Sequence, residues 1–216
     1  LIFDHAYRAI VDILAAVDPL TAEGVTIERY IARGLDGIVL QGQFEGRKVA
    51  IKINLHQYDI KAQEFLPMFK KLTKLTSDNP LFMQNYKTMV LPNPRGRENE
   101  RVVEVNEFVD GIDIHSILKD PTEYGIKLAH MMTLVSDFLE INRFLIKHQL
   151  VNQDIRNIQN VLVTREGRLK ALDFGEIKVV ANTELTEEKL AERIYEQEAI
   201  VTVMRLLFGE RKDTLV

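Results

Sequence analysis

The residues able to do chemistry fall in four short stretches. The first, Ala32-Arg33-Gly34-Leu35-Asp36-Gly37-Ile38-Val39, carries Gly34 and Gly37 close together. Glycine lets backbone N–H groups approach a phosphate with no Cβ in the way; the structural alternative is an ordinary glycine-containing β-hairpin. The second, Val49-Ala50-Ile51-Lys52, sets a lysine between Ile51 and Ile53. Strand alternation puts Lys52 and Ala50 on one face. That is an odd place for a cation in an interior strand, although an edge strand can carry lysine against aggregation. The third is the polar run Asn152-Gln153-Asp154-Ile155-Arg156-Asn157-Ile158-Gln159-Asn160 ahead of Val161-Leu162-Val163. Read locally, it is an Asn-rich turn before a hairpin. The fourth, Asp173-Phe174-Gly175, follows Leu172 at a strand end. An aspartate there can bind Mg²⁺ bridging phosphates, and the glycine permits a sharp turn.

The elements that must position these residues are readable from periodicity. Phe3, Tyr7, Ile10, Val11, Leu14 and Val17 recur at helical spacing, and Asp18-Pro19 is expected to end that helix. Residues 25–54 change to strand character, punctuated by Gly34, Gly37, Gly42 and Gly46. Residues 57–75 read as a helix that Pro67 should start or kink. Phe82 to Val109 reads as two or three strands around a polar turn at Pro92–Arg101. The stretch Asn106-Glu107-Phe108-Val109-Asp110-Gly111-Ile112-Asp113 runs from a strand through a connector into a helix, which Asp113 is placed to cap. Residues 121–148 form one long helix, with Leu128, Met131, Val135, Phe138, Leu139, Ile141 and Leu145 on its buried side. Val161–Val163 and Leu169–Leu172 flank the turn Arg165-Glu166-Gly167-Arg168, and a last helix is expected near 186–208. Strands therefore gather before about residue 106 and helices after it, an α+β arrangement.

Composition narrows the function classes. The 216 residues are 46% hydrophobic, enough for one large domain or two small lobes. The formal net charge is −4, which disfavours nucleic-acid binding. The densest basic cluster, Lys70-Lys71 with Lys74, reads as the wet face of a helix. There is no cysteine, so disulfides, thiolate metal sites and a cysteine nucleophile are excluded, and a reducing compartment fits. No run of 18 apolar residues predicts a membrane span. Asp4, Arg8 and Asp12 argue against a secretory segment at the start, although the chain opens on Leu1 rather than Met, which leaves room for an upstream segment.

Taken in order, these stretches resemble the protein-kinase superfamily from about Thr26 to Val180. Gly34, Gly37 and Val39 match its glycine-rich loop, with Ala32 where the first glycine stands. Val49-Ala50-Ile51-Lys52 matches its strand signature letter for letter, as Asp173-Phe174-Gly175 matches its metal motif. Asp154 falls at the base position of the catalytic loop. Arg156 falls where kinases place a lysine that neutralises the transferred phosphoryl group. Asn160 precedes the apolar strand as the metal-binding Asn does, but it stands six residues after Asp154 where the pattern has five, so Gln159 is its rival. Asn152 and Gln153 replace the His and Arg of the pattern, which argues against activation through a phosphorylated loop.

The resemblance implies a two-lobed protein-kinase-like fold. Residues 1–106 would form an N-lobe, an antiparallel sheet with one helix that covers ATP, together with the N-terminal helix. Residues 107–216 would form a reduced helical C-lobe with the catalytic loop and metal site. It implies ATP and Mg²⁺ as cofactors, with Asp154, Lys52 and Arg156 catalytic, and Asp173 and Asn160 on the metal. Nucleotide contacts would come from Ala32, Gly34, Gly37, Val39, Ala50, Lys52, Glu64, Glu107, Val109 and Asp113. Glu64 would orient Lys52, with Asp59 as rival, and Asp113 would reach the ribose if it is not simply a helix cap. The substrate would be a protein hydroxyl, Ser/Thr before Tyr. After Gly175 no Ala-Pro-Glu occurs and 41 residues follow, so the usual substrate-binding helices are not expected. In that respect the chain is similar to compact kinases among secreted bacterial effectors, which would place it in a cytoplasm, its own or a host's. Two other readings compete: a small-molecule kinase resembling aminoglycoside phosphotransferases, and a pseudokinase that only binds. Against the second stand Lys52, Asp154 and Asp173, since two carboxylates kept in one cleft without a cation would be costly.

Overall fold

The structure is a computed structural model that describes residues 2–34, 37–54, 62–91, 100–119, 123–125, 127–148, 150–152, 160–172 and 177–179. The chain divides into two compact units: Leu1–Asp78 with Gln84–Phe108, and Asn79–Met83 with Val109–Val216.

The first unit opens with α1 (Ile2–Ala22), followed by β1 (Val25–Arg33), β2 (Gly37–Phe44), β3 (Arg47–Asn54), α2 (Ala62–Thr76), β4 (Asn85–Leu91) and β5 (Arg101–Glu107). The strands form one antiparallel sheet in the order β1-β2-β3-β5-β4. Glu45 and Gly46 both adopt positive φ in the two-residue loop between β2 and β3, the turn geometry that matches strand twist. Gly42 is fixed by contact instead: a Cβ there would lie 2.0 Å from the Thr26 carbonyl oxygen. β1 can cross β2 this closely only over a glycine.

Alternation along β3 decides the two faces of the sheet. Val49, Ile51 and Ile53 are fully buried, and Ala50, Lys52 and Asn54 half-buried. The first set joins Ile38, Leu40, Met89, Leu91, Val103 and Val105 in a core closed by Ala16 and Leu20 of α1. The helix packs by a different stripe from the one that marks it as amphipathic. Asp12, Ala16 and Leu20 are buried while Ile10 and Leu14 are exposed, because Asp12 turns inward to pair with Arg101 at 2.7 Å. Asp18-Pro19 does not end α1, which runs on to Ala22. Proline near a helix end disturbs few bonds, and the stop is Gly24 at φ +78°, whose N–H donates to the Thr21 carbonyl. Pro67 likewise lies inside α2, whose Lys70, Lys71 and Lys74 face solvent as expected. Arg101, expected in the polar turn, is instead the buried first residue of β5.

In the second unit, β6 (Gly111–Asp113), α3 (Ile114–Lys119), α4 (Leu128–Lys147), β7 (Leu150–Asn152), β8 (Val161–Thr164), β9 (Leu169–Ala171) and β10 (Ile177–Val179) follow one another. β6, β8 and β9 form a small sheet, and β7 pairs with β10. The segment around Phe82 belongs here and not to the larger sheet. Met83 N–H donates to the Ala171 carbonyl and Ala171 N–H to the Leu81 carbonyl, both at 2.8 Å. The Phe82 ring meets Phe144 of α4 at 4.9 Å between centroids. α4 starts at Leu128, later than the periodicity suggests, and its buried side is Leu134, Val135, Phe138, Ile141 and Leu145. Asp137 is buried among them. Its carboxylate accepts two bonds from Arg168 Nε, one from Arg168 Nη2 and one from Leu169 N–H, at 2.8–3.0 Å, which ties the β8–β9 turn to the helix. The bidentate carboxylate raises the pKa of Arg168 further. The last helix expected near 186–208 lies outside the described residues. No described helix is long and apolar enough to cross a membrane.

Candidate functional site

The site residues of the first unit share the sheet face turned away from α1. Ala32, Val39, Lys52 and Glu104 are successive register partners across β1, β2, β3 and β5. Direct partners in an antiparallel sheet project to the same side. Ala50, two residues before Lys52, pairs with Gln41 and Asn106 on that side. Thus Ala32, Val39, Ala50 and Lys52 meet on one surface, as the motif order requires.

The two loop glycines prove different. Gly34 N–H donates to the Gly37 carbonyl at 2.9 Å and closes the β1–β2 hairpin. A Cβ on Gly37 would lie 2.8 Å from the Ile53 carbonyl oxygen, so the sheet itself demands that glycine. A Cβ on Gly34 would meet nothing within 4 Å among the described residues. Among the described residues packing gives no reason for glycine at 34, and the missing Cβ leaves that side of the hairpin open to close approach.

Polar groups fill the rest of this face. Glu104 and Asn106 are 3% and 2% exposed. Asn54 Nδ2 donates to Glu104 Oε1 at 2.9 Å and to the Val102 carbonyl at 3.1 Å; Asn106 Nδ2 donates to Glu104 Oε2 at 3.4 Å. Asn85 Nδ2 donates to Asn106 Oδ1 at 2.8 Å. Nearer β1, the amides of Gln41 and then Gln43 donate to Glu28 and hold its carboxyl below the ordinary carboxylate range. The sequence reading missed Glu104 and Asn106. Their signal was the alternation Val103-Glu104-Val105-Asn106, which sets two polar residues against an apolar pair.

At the end of β5, Glu107 N–H donates to the Gln84 carbonyl at 2.8 Å, and its side chain accepts from Gln84 N–H at 3.1 Å. Lys48 Nζ sits 3.7 Å from the centre of the Phe108 ring, a cation–π contact that fixes the start of the connector. Val109, half-buried, opens the second unit. There Asp113 has helix-cap geometry: Oδ1 accepts from Ser116 N–H at 2.8 Å and Oδ2 from Ser116 Oγ at 2.7 Å. Asn160 stands at the mouth of the β8–β9 hairpin, where its carbonyl accepts from Leu172 N–H at 2.9 Å. Asp173 is the next residue in the chain. Asp59, Asp154, Arg156, Gln159, Asp173, Phe174, Gly175 and the Glu64 side chain lie outside the described residues.

Comparison with known proteins identifies the family. The family model described as protein tyrosine and serine/threonine kinase matches residues 25–202. The chain belongs to the protein-kinase family. The α+β fold with its antiparallel N-lobe sheet is that family's fold. The kinase match starts at Val25, so α1 lies ahead of it, and it reaches past Val180. Among relatives, a probable LIM domain-containing serine/threonine-protein kinase of Dictyostelium discoideum is 26% identical over 158 residues, 72% of this chain and 23% of its own length. Human serine/threonine-protein kinase greatwall is 25% identical over 178 residues, 80% of this chain and 18% of its own. The dual specificity protein kinase zakA of Dictyostelium discoideum is 28% identical over 86 residues, 40% of this chain and 11% of its own. The chain thus spans under a quarter of the length of these relatives.

Proposed function

We propose that this kinase-family chain transfers the γ-phosphoryl group of MgATP to a protein hydroxyl, serine or threonine in preference to tyrosine. The observation that carries the reading is the single sheet face on which Ala32, Val39, Ala50 and Lys52 meet, beside a Gly34 whose missing Cβ no described residue requires. Most of the named relatives are serine/threonine kinases, which supports the preference.

Bound MgATP would supply the phosphoryl group and a divalent cation that offsets its charge. On this reading a phosphate approaches the hairpin tip at Gly34, where no Cβ stands in its way, and Lys52 adds positive charge beside it. Ala50, with no atoms beyond Cβ, leaves room for the base. Glu107 already uses its N–H on Gln84, so its carbonyl is the group it offers the adenine edge, with the backbone of Val109 beyond. Asp113 keeps lone pairs beside its two capping bonds, which suits a ribose hydroxyl as a further donor. Asn160 and Asp173 would hold the metal. Asp154 accepts the proton of the attacking hydroxyl, and Arg156 offsets charge on the transferred group.

The test is incubation with labelled MgATP and a cell lysate beside Asp154→Ala and Asp173→Ala. Loss of the general base is expected to slow transfer ~10²–10⁴-fold. Label on proteins that vanishes in both variants supports the reading. Label on metabolites alone would establish a small-molecule kinase, and tight ATP binding without transfer a binding module.

A further inference from the structure

α1 carries two apolar faces, and its own sheet uses one of them. Ala16 and Leu20 close the core, Ile13 packs beside them, and Asp12 turns inward to Arg101. The second face is set by Phe3, Tyr7, Ile10, Leu14 and Val17. At 3.6 residues per turn these positions fall within an arc of about 80°, well away from Asp12, Ala16 and Leu20. Ile10 and Leu14 at its centre are 54% and 65% exposed. A helix that only covers a sheet needs a single apolar stripe. The spacing of the second one, four, three, four and three residues, is the seam of a coiled coil, which another helix fills. The kinase match begins at Val25, so this seam lies wholly ahead of it.

The seam is complementary to a reversed copy of itself. Thr21 continues it by four more positions. With two helices antiparallel about a two-fold axis near residue 12, Phe3 falls opposite Thr21 of the second copy, Tyr7 opposite Val17, and Ile10 opposite Leu14. Each layer then joins a large residue to a small one, or two of middle size, which keeps the helix axes evenly spaced. Parallel helices would set aromatic on aromatic at one end and valine on valine at the other, and would splay. We propose that α1 is a dimerisation helix, through which two copies of this chain associate in antiparallel fashion. The contact is isologous, so it closes at two. α1 lies on the sheet face opposite Lys52, so the seam is separate from the proposed nucleotide contacts.

Sedimentation equilibrium of the full chain over a concentration series is the first test, with a dimer expected. A chain that stays monomeric up to its highest soluble concentration overturns the proposal. Leu14→Glu should weaken association at least about a hundredfold, since both symmetric layers lose an apolar side chain and gain a charge. Its monomer should melt as the wild-type monomer does, because the side chain is exposed. A dimer that survives Leu14→Glu combined with Ile10→Glu places the interface elsewhere and overturns the role of α1. Should these variants not fold, thiol cross-linking decides. The chain has no cysteine, so introduced thiols report alone. Tyr7→Cys and Val17→Cys chains, mixed and oxidised, should form a 7–17 disulfide. Neither alone should cross-link, because like positions would stand ten residues apart along the seam, about 15 Å, beyond disulfide reach. Ready cross-linking of Tyr7→Cys to itself overturns the antiparallel arrangement. Flotation of a monomer on phosphatidylcholine–phosphatidylserine vesicles, lost in Leu14→Glu, would give this face to a membrane and overturn the dimer.

Discussion

The two faces of the first unit's sheet use the same strands for opposite purposes. The face toward α1 is apolar, with the buried ion pair Asp12–Arg101 at its margin. The other face is lined by Lys52, Glu104, Asn106, Asn54 and Gln41, and side-chain hydrogen bonds link its strands: β3 to β5 through Asn54–Glu104, β4 to β5 through Asn85–Asn106, and β1 to β2 through Glu28–Gln41. Side chains alternate along every strand, so each buried Val or Ile fixes a neighbour that must point the other way. Apolar packing is concentrated on one face, and the proposed nucleotide contacts lie on the other. Substitutions should therefore separate the two properties by parity.

The largest separation is expected at the ion pair. Asp12→Ala removes the carboxylate that Arg101 meets at 2.7 Å in the interior and should cost ~3–5 kcal/mol, read in chemical unfolding. Nucleotide affinity of the folded fraction should stay near wild type; a large loss would mean that the two faces are coupled. Next, Ala50→Leu fills space on the polar face. If the base lies there, MgATP binding should weaken roughly 10- to 100-fold for an overpacking cost of ~1–3 kcal/mol, while the melting temperature changes little. Unchanged affinity would remove the base from that face.

The two glycines sharpen the contrast within one hairpin. Gly37→Ala sets a Cβ against the Ile53 carbonyl and should destabilise by about 1–3 kcal/mol. Gly34→Ala meets nothing within 4 Å among the described residues and should leave stability within about 0.5 kcal/mol, while nucleotide binding weakens. The opposite pattern would assign the phosphate approach to Gly37. The smallest effect belongs to Glu28. Its folded carboxyl titrates below its unfolded value, held there by Gln41 and Gln43. Its contribution is thus full above the unfolded value and lost as pH falls through the folded one. Glu28→Gln should slightly flatten the acid limb of a stability–pH curve, and an unchanged limb would show that this exposed network contributes nothing.

Much of this was legible in the chain. The strand order of motifs, the β8–β9 hairpin, Lys52 with Ala50 on one face and the wet side of α2 all follow from period and residue type. Other features escaped for identifiable reasons. Phe82 reads as strand, but its partner is Ala171, some ninety positions on. The outward turn of Ile10 and Leu14 could not be seen because the residue that rotates the helix, Asp12, looks like a surface charge until Arg101 is found opposite. Asp137 breaks an apolar stripe and looks exposed for the same reason. Asp154 and Asp173 were read from order and spacing alone, and their roles rest on the transfer experiment.

The sequence by itself determined the family, the alternation that divides the sheet into two faces, and which face would carry Lys52. Those depend on neighbours a few positions apart, where backbone geometry is enough. Only the tertiary structure decided what stands opposite. It set Glu104 beside Lys52, Arg101 beside Asp12, and the Ile53 carbonyl against Gly37. Such pairings depend on strand register, and register is fixed by contacts between segments distant in the chain.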